Sequence, residues 1–247
     1  MKGFIILGLS VSSVLSAQTD STQIKEIQEV SFTRRLPVSK EIINVQKDLG
    51  SKNLGQDLPI LLKNQMSVVA TSDAGNGVGY TGFRIRGSAG TSINVMLNGV
   101  PYNDSESQGT FFVNIPDMAS SASQIVIQRG VGTSSNGTAS FGASVNILTK
   151  NPDEKPYVLG QFSAGSFNTM KTSFEAGSGK FLNNLLSVSA RYSTINSDGY
   201  IDRAFSKLNS YSINALFEKG NTKIRFLTFG GKEKTYQAWN GIDRQTW

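Results

Sequence analysis

The second half of the chain alternates apolar and polar residues with a period of two, which restricts it to β-strands. Leu186, Val188, Ala190 and Tyr192 are apolar, and the residues between them are polar. The same alternation recurs in residues 170–176, 211–217 and 223–226. A sheet built from such strands has one apolar face and one polar face.

Both soluble sandwiches and outer-membrane barrels alternate in this way, so the lengths of the connections help to separate them. The connections at 180–184 and at Gly220-Asn221 are short, whereas the connection over residues 196–209 is long and polar. Short periplasmic turns and longer external loops are typical of membrane barrels. We therefore expect residues 152–247 to form the beginning of an antiparallel transmembrane β-barrel.

The composition removes several kinds of chemistry. The 247 residues include no cysteine and no histidine, which excludes disulfides, thiolate nucleophiles and the commonest metal ligand. The net charge of +6 is scattered along the strands, so we expect no nucleic-acid partner. A carboxylate enzyme would rest on Asp104 and Glu106, whose spacing is ordinary for a loop. We expect no enzyme, no cofactor and no bound metal.

The first 17 residues have the order of a secretory signal. Lys2 precedes an apolar run over residues 4–15, and Ser16-Ala17-Gln18 supplies small residues for cleavage after Ala17. The run is too short for a membrane-spanning helix, and no later segment has the roughly 20 apolar residues that one needs. We expect export of the remainder.

A polar leader follows in residues 18–35. Within it one short segment alternates as a single strand would: Ile27, Gln28, Glu29, Val30, Ser31, Phe32 and Thr33. Such a strand could pair with the edge of another protein's sheet. It could equally be an edge strand of the following domain, and the segment alone does not decide.

Residues 36–151 predict a small α+β domain, with a mixed sheet and short helices. Residues 57–64 have the pattern of a short helix that Asp57 could cap. Short strands bounded by glycine are predicted at 83–86, 93–97, 124–129 and 144–149. Asn98-Gly99 is a tight-turn signal.

The spacing of Gly77, Gly79 and Gly82 matches the G-x-G-x-x-G of dinucleotide-binding loops. That motif functions only where it opens a helix. Here it leads into 83–87, whose alternation is that of a strand, so we do not expect a nucleotide site.

Five fragments of this domain, in order, resemble the plug of TonB-dependent outer-membrane transporters. They are FRIRG (83–87), VMLNGVPYND (95–104), IP (115–116), QIVIQRG (124–130) and FGASVNILTK (141–150). The resemblance extends over more than a hundred residues and departs from the family at Asn98 and Gly132. It implies a plug domain inside a barrel, and a TonB box at residues 27–33 that binds TonB.

The resemblance also implies particular site residues. Arg86 and Arg129 would face carboxylates on the barrel wall, although both could instead lie on solvated strand faces. The loops 76–80, 88–92 and 102–104 would meet the ligand, through Tyr80, Ser88, Ser92, Tyr102, Asn103 and Asp104.

The function implied is TonB-dependent active import across the outer membrane of a Gram-negative bacterium, with membrane lipid around the barrel. The ligand would be a small molecule such as a metal chelate, and siderophore–iron complexes are the family's commonest cargo. Plugged outer-membrane transporters have about 22 strands, whereas about five fit here. A fragment, a broken gene and a plug without a barrel all remain open, and we do not expect the chain by itself to insert and transport. The alternative is a soluble periplasmic or secreted β-rich binding protein, or a receptor fragment that does not transport.

Overall fold

The computed structural model of the chain describes residues 40–131 and 140–236. The predicted signal sequence and the segment 27–33 lie outside these residues. None of the helices in the described ranges is long and apolar enough to cross a membrane. We call residues 40–151 the plug region.

The plug region contains short strands and shorter helical turns. The α-helices described are α1 (Leu58–Leu61) and α2 (Met118–Ser121). A π-helical turn covers Val45–Leu49, and 3-10 turns cover Gly50–Lys52, Gly90–Ser92 and Phe112–Asn114. The described strands are β1 (Lys40–Asn44), β2 (Val68–Ser72), β3 (Thr81–Ile85), β4 (Ile93–Leu97), β5 (Val100–Pro101), β6 (Ala122–Arg129) and β7 (Ala143–Thr149).

These strands confirm the predicted α+β fold with a small mixed sheet. One sheet has the order β1-β6-β7-β4-β5, in which only β4 and β7 are parallel, and β2 pairs with β3 separately. Asn98 and Gly99 take φ values of 52° and 84° in the predicted turn. Gly82 lies inside β3, so the glycine spacing opens a strand and not a helix.

The core of the plug region lies between this sheet and the elements that cross it. Ile85, Ile93, Ile125 and Ile127 are fully buried at its centre. Branched side chains suit this position because they fill the pleated surface of a strand with little loss of rotamer freedom.

Five long strands follow in a simple antiparallel meander, which we call the wall sheet. They are β8 (Pro156–Gly165), β9 (Thr169–Phe181), β10 (Leu186–Ser197), β11 (Ser206–Lys219) and β12 (Thr222–Thr235). The connections after β9 and β11 are short, and the loop between β10 and β11 is longer, as predicted. The strands have 10 to 14 residues, long enough for the roughly 9–11 that cross a bilayer.

The wall sheet is polar on its buried face and apolar on its exposed face. Ser193, Ser210 and Ser212 are at least nine-tenths buried on the side that faces the plug region. On the opposite side Val158, Phe162, Phe174, Ile224 and Phe226 are each more than half exposed. A water-soluble sheet has the reverse arrangement, because exposing a contiguous apolar surface to water is unfavourable.

Candidate functional site at the interface between plug region and wall sheet

A buried carboxylate of the plug region is bound by two cations of the wall sheet. Lys171 Nζ donates to Asp117 Oδ1 at 2.7 Å, and Arg191 Nη1 donates to Asp117 Oδ2 at 2.7 Å. The Asp117 side chain is fully buried, and those of Lys171 and Arg191 are 1% and 5% exposed. We call these three residues the Asp117 node.

The local backbone places each member of the node. Asp117 is in the left-handed region at φ 54°, directly before α2, where Asn and Asp tolerate this conformation better than most residues. Lys171 and Arg191 come from the neighbouring strands β9 and β10, at positions where their side chains point toward the plug region.

Serine hydroxyls complete the node. Ser120 Oγ donates to Asp117 Oδ1 at 2.6 Å and accepts from Lys171 Nζ at 2.8 Å. Arg191 Nε donates to Ser121 Oγ at 2.8 Å. Since a buried ion pair is costly unless its remaining donors and acceptors are satisfied, these hydroxyls allow the charges to be buried together. The node therefore holds α2 against the wall sheet.

A second anchor holds the end of β7. Arg225 Nη2 donates to Thr149 Oγ1 at 2.5 Å and to the Lys150 carbonyl at 2.6 Å. Asn214 donates to the same carbonyl and accepts from Arg225 Nε at 3.2 Å. The bonds donated by Arg225 have a charged donor, so they are stronger than bonds between neutral groups.

A third contact brings the backbone of the plug region close to β11. Gly79 has φ +93°, and a Cβ at this position would lie 2.7 Å from Ser206 Oγ. Beside it, Val78 and Val113 of the plug region pack with Ile195 and Leu208 of the wall sheet in a small apolar cluster. Only glycine permits both this conformation and this approach.

Asp57 occupies the predicted N-cap position of α1, but its side chain does not cap the helix. Its Oδ2 instead accepts from Thr81 Oγ1 at 3.0 Å, and its Oδ1 has no partner among the described residues. Burial raises the pKa of Asp57 to about 7, and the nearby carboxylates of Asp117 and Glu233 act in the same direction.

Arg86 and Arg129, the two arginines predicted to face the wall, differ in burial and in ion pairing. Arg129 is buried and forms an ion pair with Glu41 of β1, and its Nε donates to the Met66 carbonyl at 3.0 Å. Its partner is therefore within the plug region and not on the wall sheet. Arg86 is exposed, and it makes no ion pair with a described residue. Contact of either arginine with carboxylates of a wall stays a prediction.

The predicted ligand residues 102–104 hold their own loop. Asn103 Oδ1 accepts from the Val95 amide at 2.7 Å, and its Nδ2 donates to the Ile93 carbonyl at 3.0 Å. Asp104 Oδ1 accepts from the Ser107 amide at 2.7 Å, which lowers the pKa of Asp104. Tyr102 is half-buried, with its ring centroid 6.2 Å from that of Phe229 in the wall sheet.

The other predicted ligand residues lie in two places. Tyr80 packs against the apolar cluster beside β10 and β11. Ser88 and Ser92 are half-exposed near Gly142, at the start of β4 and β7. Asn103 donates to the carbonyl of Ile93, the residue after Ser92, whereas Tyr80 lies at the apolar cluster. Ligand contact at each of these residues stays a prediction.

The loop 88–92 borders a groove of about 250 Å³. Phe83 and Phe112 line it with their rings 5.3 Å apart, and Arg84 is the only cation among its described lining residues. The hydroxyl of Thr110 is buried at this groove without a partner among the described residues. In the ranges 40–131 and 140–236, no group of three or more carboxylates could hold a metal ion.

No pattern in the sequence predicts the Asp117 node. Asp117 directly follows Ile115-Pro116, and the resemblance implies no role for it. Its two partners are 54 and 74 residues away along the chain, and contacts at such separations leave no local pattern. A lysine and an arginine on the serine-rich face of predicted strands were the only signal that this face meets an acid.

Comparison with known proteins agrees with this architecture. Residues 33–144 match the family model of the TonB-dependent receptor plug domain. The chain therefore contains a plug domain of the TonB-dependent receptors, and the antiparallel strands that follow it begin a barrel wall of the kind these receptors have. A comparison with curated proteins found no match.

Three solved structures illustrate the likeness. The siderophore receptor PirA from Acinetobacter baumannii is 16% identical, with a TM-score of 0.61 over 80% of this chain and 32% of that one. The pyoverdine receptor FpvA from Pseudomonas aeruginosa is 14% identical, with a TM-score of 0.64 over 79% and 28%. The ferric yersiniabactin receptor FyuA from Yersinia pestis is 15% identical, with a TM-score of 0.61 over 79% and 32%. The chain spans about a third of the length of these receptors.

Proposed function

We propose that the chain supplies the plug and the first wall strands of an outer-membrane importer driven by TonB. The observation that carries this proposal is the inverted polarity of the wall sheet. Ser193, Arg191 and Lys171 face the plug region, whereas Phe174, Tyr192 and Tyr211 face outward. A bilayer solvates an apolar outer face, and a filled lumen accommodates a polar inner one.

In this proposal the interface between plug region and wall sheet resists opening until force is applied. The Asp117 node is the most deeply buried link between them, and Arg225 provides the second. An import cycle must loosen these contacts to let the ligand pass. The segment 27–33 supplies the point of attachment, because an extended strand can add to the edge of the TonB sheet.

The cargo we propose is a small anionic chelate, of which a siderophore–iron complex is the main candidate. The receptors with similar folds include proteins that bind siderophores, such as pyoverdine in FpvA. The groove beside the loop 88–92 has suitable chemistry, since Arg84 provides a positive charge and Thr71 and Thr110 provide hydroxyl groups. Arginine is well suited to carboxylate and catecholate-like oxygens because its donors form a planar fork.

The experiment that tests the function is uptake of a radiolabelled iron–siderophore panel by cells that express the complete importer to which this chain would supply the plug and the first wall strands. We expect saturable uptake that an uncoupler abolishes. Val30→Pro removes a backbone donor from the 27–33 segment, so it should abolish uptake while surface binding of the ligand persists. Ser21→Pro, in the leader before that segment, is the matched control and should transport normally. Uptake that survives in Val30→Pro would contradict the TonB assignment.

A further inference from the structure

Three lysines lie together at one end of the exposed face of the wall sheet. Lys207 of β11 and Lys234 of β12 are directly opposite each other in register. Lys232 lies on the same face, opposite Asn209. All three lysines are exposed. The Cβ atoms of directly opposed residues are about 4.5–5.5 Å apart, so Lys207 and Lys234 are close neighbours.

Nothing in the described part of the chain neutralises this group. None of the three lysines forms an ion pair with a residue in 40–131 or 140–236. Glu233 alternates to the opposite face, where it lies opposite Leu208. Like charges that face each other across two strands are destabilising, so the arrangement favours an anionic partner from outside the chain.

The position of the lysines indicates which kind of anion this is. Toward the middle of the sheet, the next outward residues are Tyr211 and Tyr192, which oppose each other in register, and then Ile213. Lipid-facing surfaces have this order, with an apolar band, an aromatic belt at the interface and then lysines that extend to the headgroups. On the adjoining loop, the Arg203 guanidinium lies 5.0 Å from the centre of the Tyr236 ring and adds a further cation.

We propose that Lys207, Lys232 and Lys234 bind the phosphate groups of an anionic lipid whose acyl chains cover the apolar face beside them. This inference rests on the proposed membrane location. A lysine ammonium is a compact phosphate ligand, and three of them within one patch match a headgroup with two phosphates. Basic residues at a membrane surface each add to the attraction for anionic lipid, and salt screens that attraction.

The test measures binding of a fluorescent, doubly phosphorylated lipid A by the purified protein in non-ionic detergent micelles. We expect the triple variant Lys207→Gln, Lys232→Gln and Lys234→Gln to bind this lipid on the order of a hundredfold more weakly than the wild type. The control variant Lys47→Gln, Lys52→Gln and Lys63→Gln makes the same charge change on exposed residues of the plug region. It should keep the wild-type affinity.

The other outcomes separate the possible failures. Equal affinity in the two triple variants would overturn the proposal, as would wild-type binding that inorganic phosphate alone displaces completely. Association of the protein with vesicles of zwitterionic phosphatidylcholine, without preference for lipid A, would overturn the lipid site but not the membrane location. Failure to associate with these vesicles or with detergent micelles at all would contradict the proposed function, and the lipid site with it.

Discussion

Arg191 of the wall sheet and Asp117 of the plug region form a buried ion pair at 2.7 Å, with Lys171 on the other oxygen of the same carboxylate. The sign of this contact is opposite to that expected from the resemblance, in which arginines of the plug meet acids of the wall. In the described structure the carboxylate belongs to the plug region and the cations to the strands.

The first prediction concerns this carboxylate. Asp117→Asn leaves two buried cations without a counter-charge, so it should lower the free energy of unfolding by about 3–5 kcal/mol. Denaturant unfolding of the protein in detergent measures the change. Asp202→Asn alters an exposed carboxylate of the loop between β10 and β11 and should change stability little. Equal stability of the two variants would contradict the role given to the node.

The second prediction concerns Arg129 and Glu41. Because Arg129 is buried against Met66 and pairs with Glu41, Arg129→Gln and Glu41→Gln should each destabilise the plug region. The double variant should lose less than the sum of the two, with a coupling of about 0.5–3 kcal/mol. Arg86→Gln is the matched control, and since Arg86 is exposed it should cost under about 0.5 kcal/mol. Additive losses in the double variant would contradict the pair.

The strand pattern was predictable because each strand carries it locally. The period of two in 186–192 and 211–217 identified both faces of the wall sheet, and Asn98-Gly99 identified a turn from two residues that tolerate positive φ. The same pattern could not decide which face is buried, because a soluble sandwich and a membrane wall share it. Burial of Ser193 and Ser212 against the plug region decides it.

Pairings between distant residues were not predictable in the same way. Arg129 was expected to need a carboxylate, but the sequence does not indicate which one, and Glu41 lies 88 residues earlier. Asp57 has the residue type and position of a helix cap. The close approach of Thr81 gave its side chain another partner, and that approach exists only in the folded chain.

The third prediction concerns the pH dependence of stability. The pKa of Asp57 is raised from 3.8 to about 7 in the folded protein. The neutral Asp57 side chain therefore makes its full contribution to the free energy of unfolding below about pH 4. That contribution is lost as the pH rises to about 7. Asp57→Asn stays neutral throughout. The free energy of unfolding of Asp57→Asn, relative to that of the wild type, should therefore grow across this range by up to about 1.4 kcal/mol per pH unit and then level off.

Unfolding free energies at pH 4.5, 6 and 8 measure this difference. Asp202→Asn should show no such trend, because Asp202 is exposed. A variant whose advantage is the same at all three pH values would contradict the assignment to Asp57.

The fourth prediction separates backbone strain from steric contact. Gly79→Ala introduces a Cβ about 2.7 Å from Ser206 Oγ and should loosen the plug region from β11. Gly87 has a similar positive φ of 76° with nothing within 4 Å of an added Cβ, so Gly87→Ala incurs the backbone strain alone, about 1–2 kcal/mol. Melting temperatures should therefore fall further in Gly79→Ala, and Ser206→Gly should recover part of that difference. Equal losses in the two alanine variants would show that the contact with Ser206 has no effect.

The central claim is that the apolar face of the wall sheet contacts lipid while its polar face meets the plug region. The chain has no cysteine, so a single introduced cysteine can carry a spin label at a unique position. Labels at Tyr211 and Ile213 would lie on the exposed face, and a label at Ser212 between them would lie on the buried one. When the complete importer that contains this chain is reconstituted in bilayers, we predict that the labels at 211 and 213 collide with lipid-soluble oxygen and are shielded from a water-soluble nickel chelate. The label at 212 is predicted to be shielded from oxygen. Free access of the nickel chelate to the labels at 211 and 213 would contradict the account.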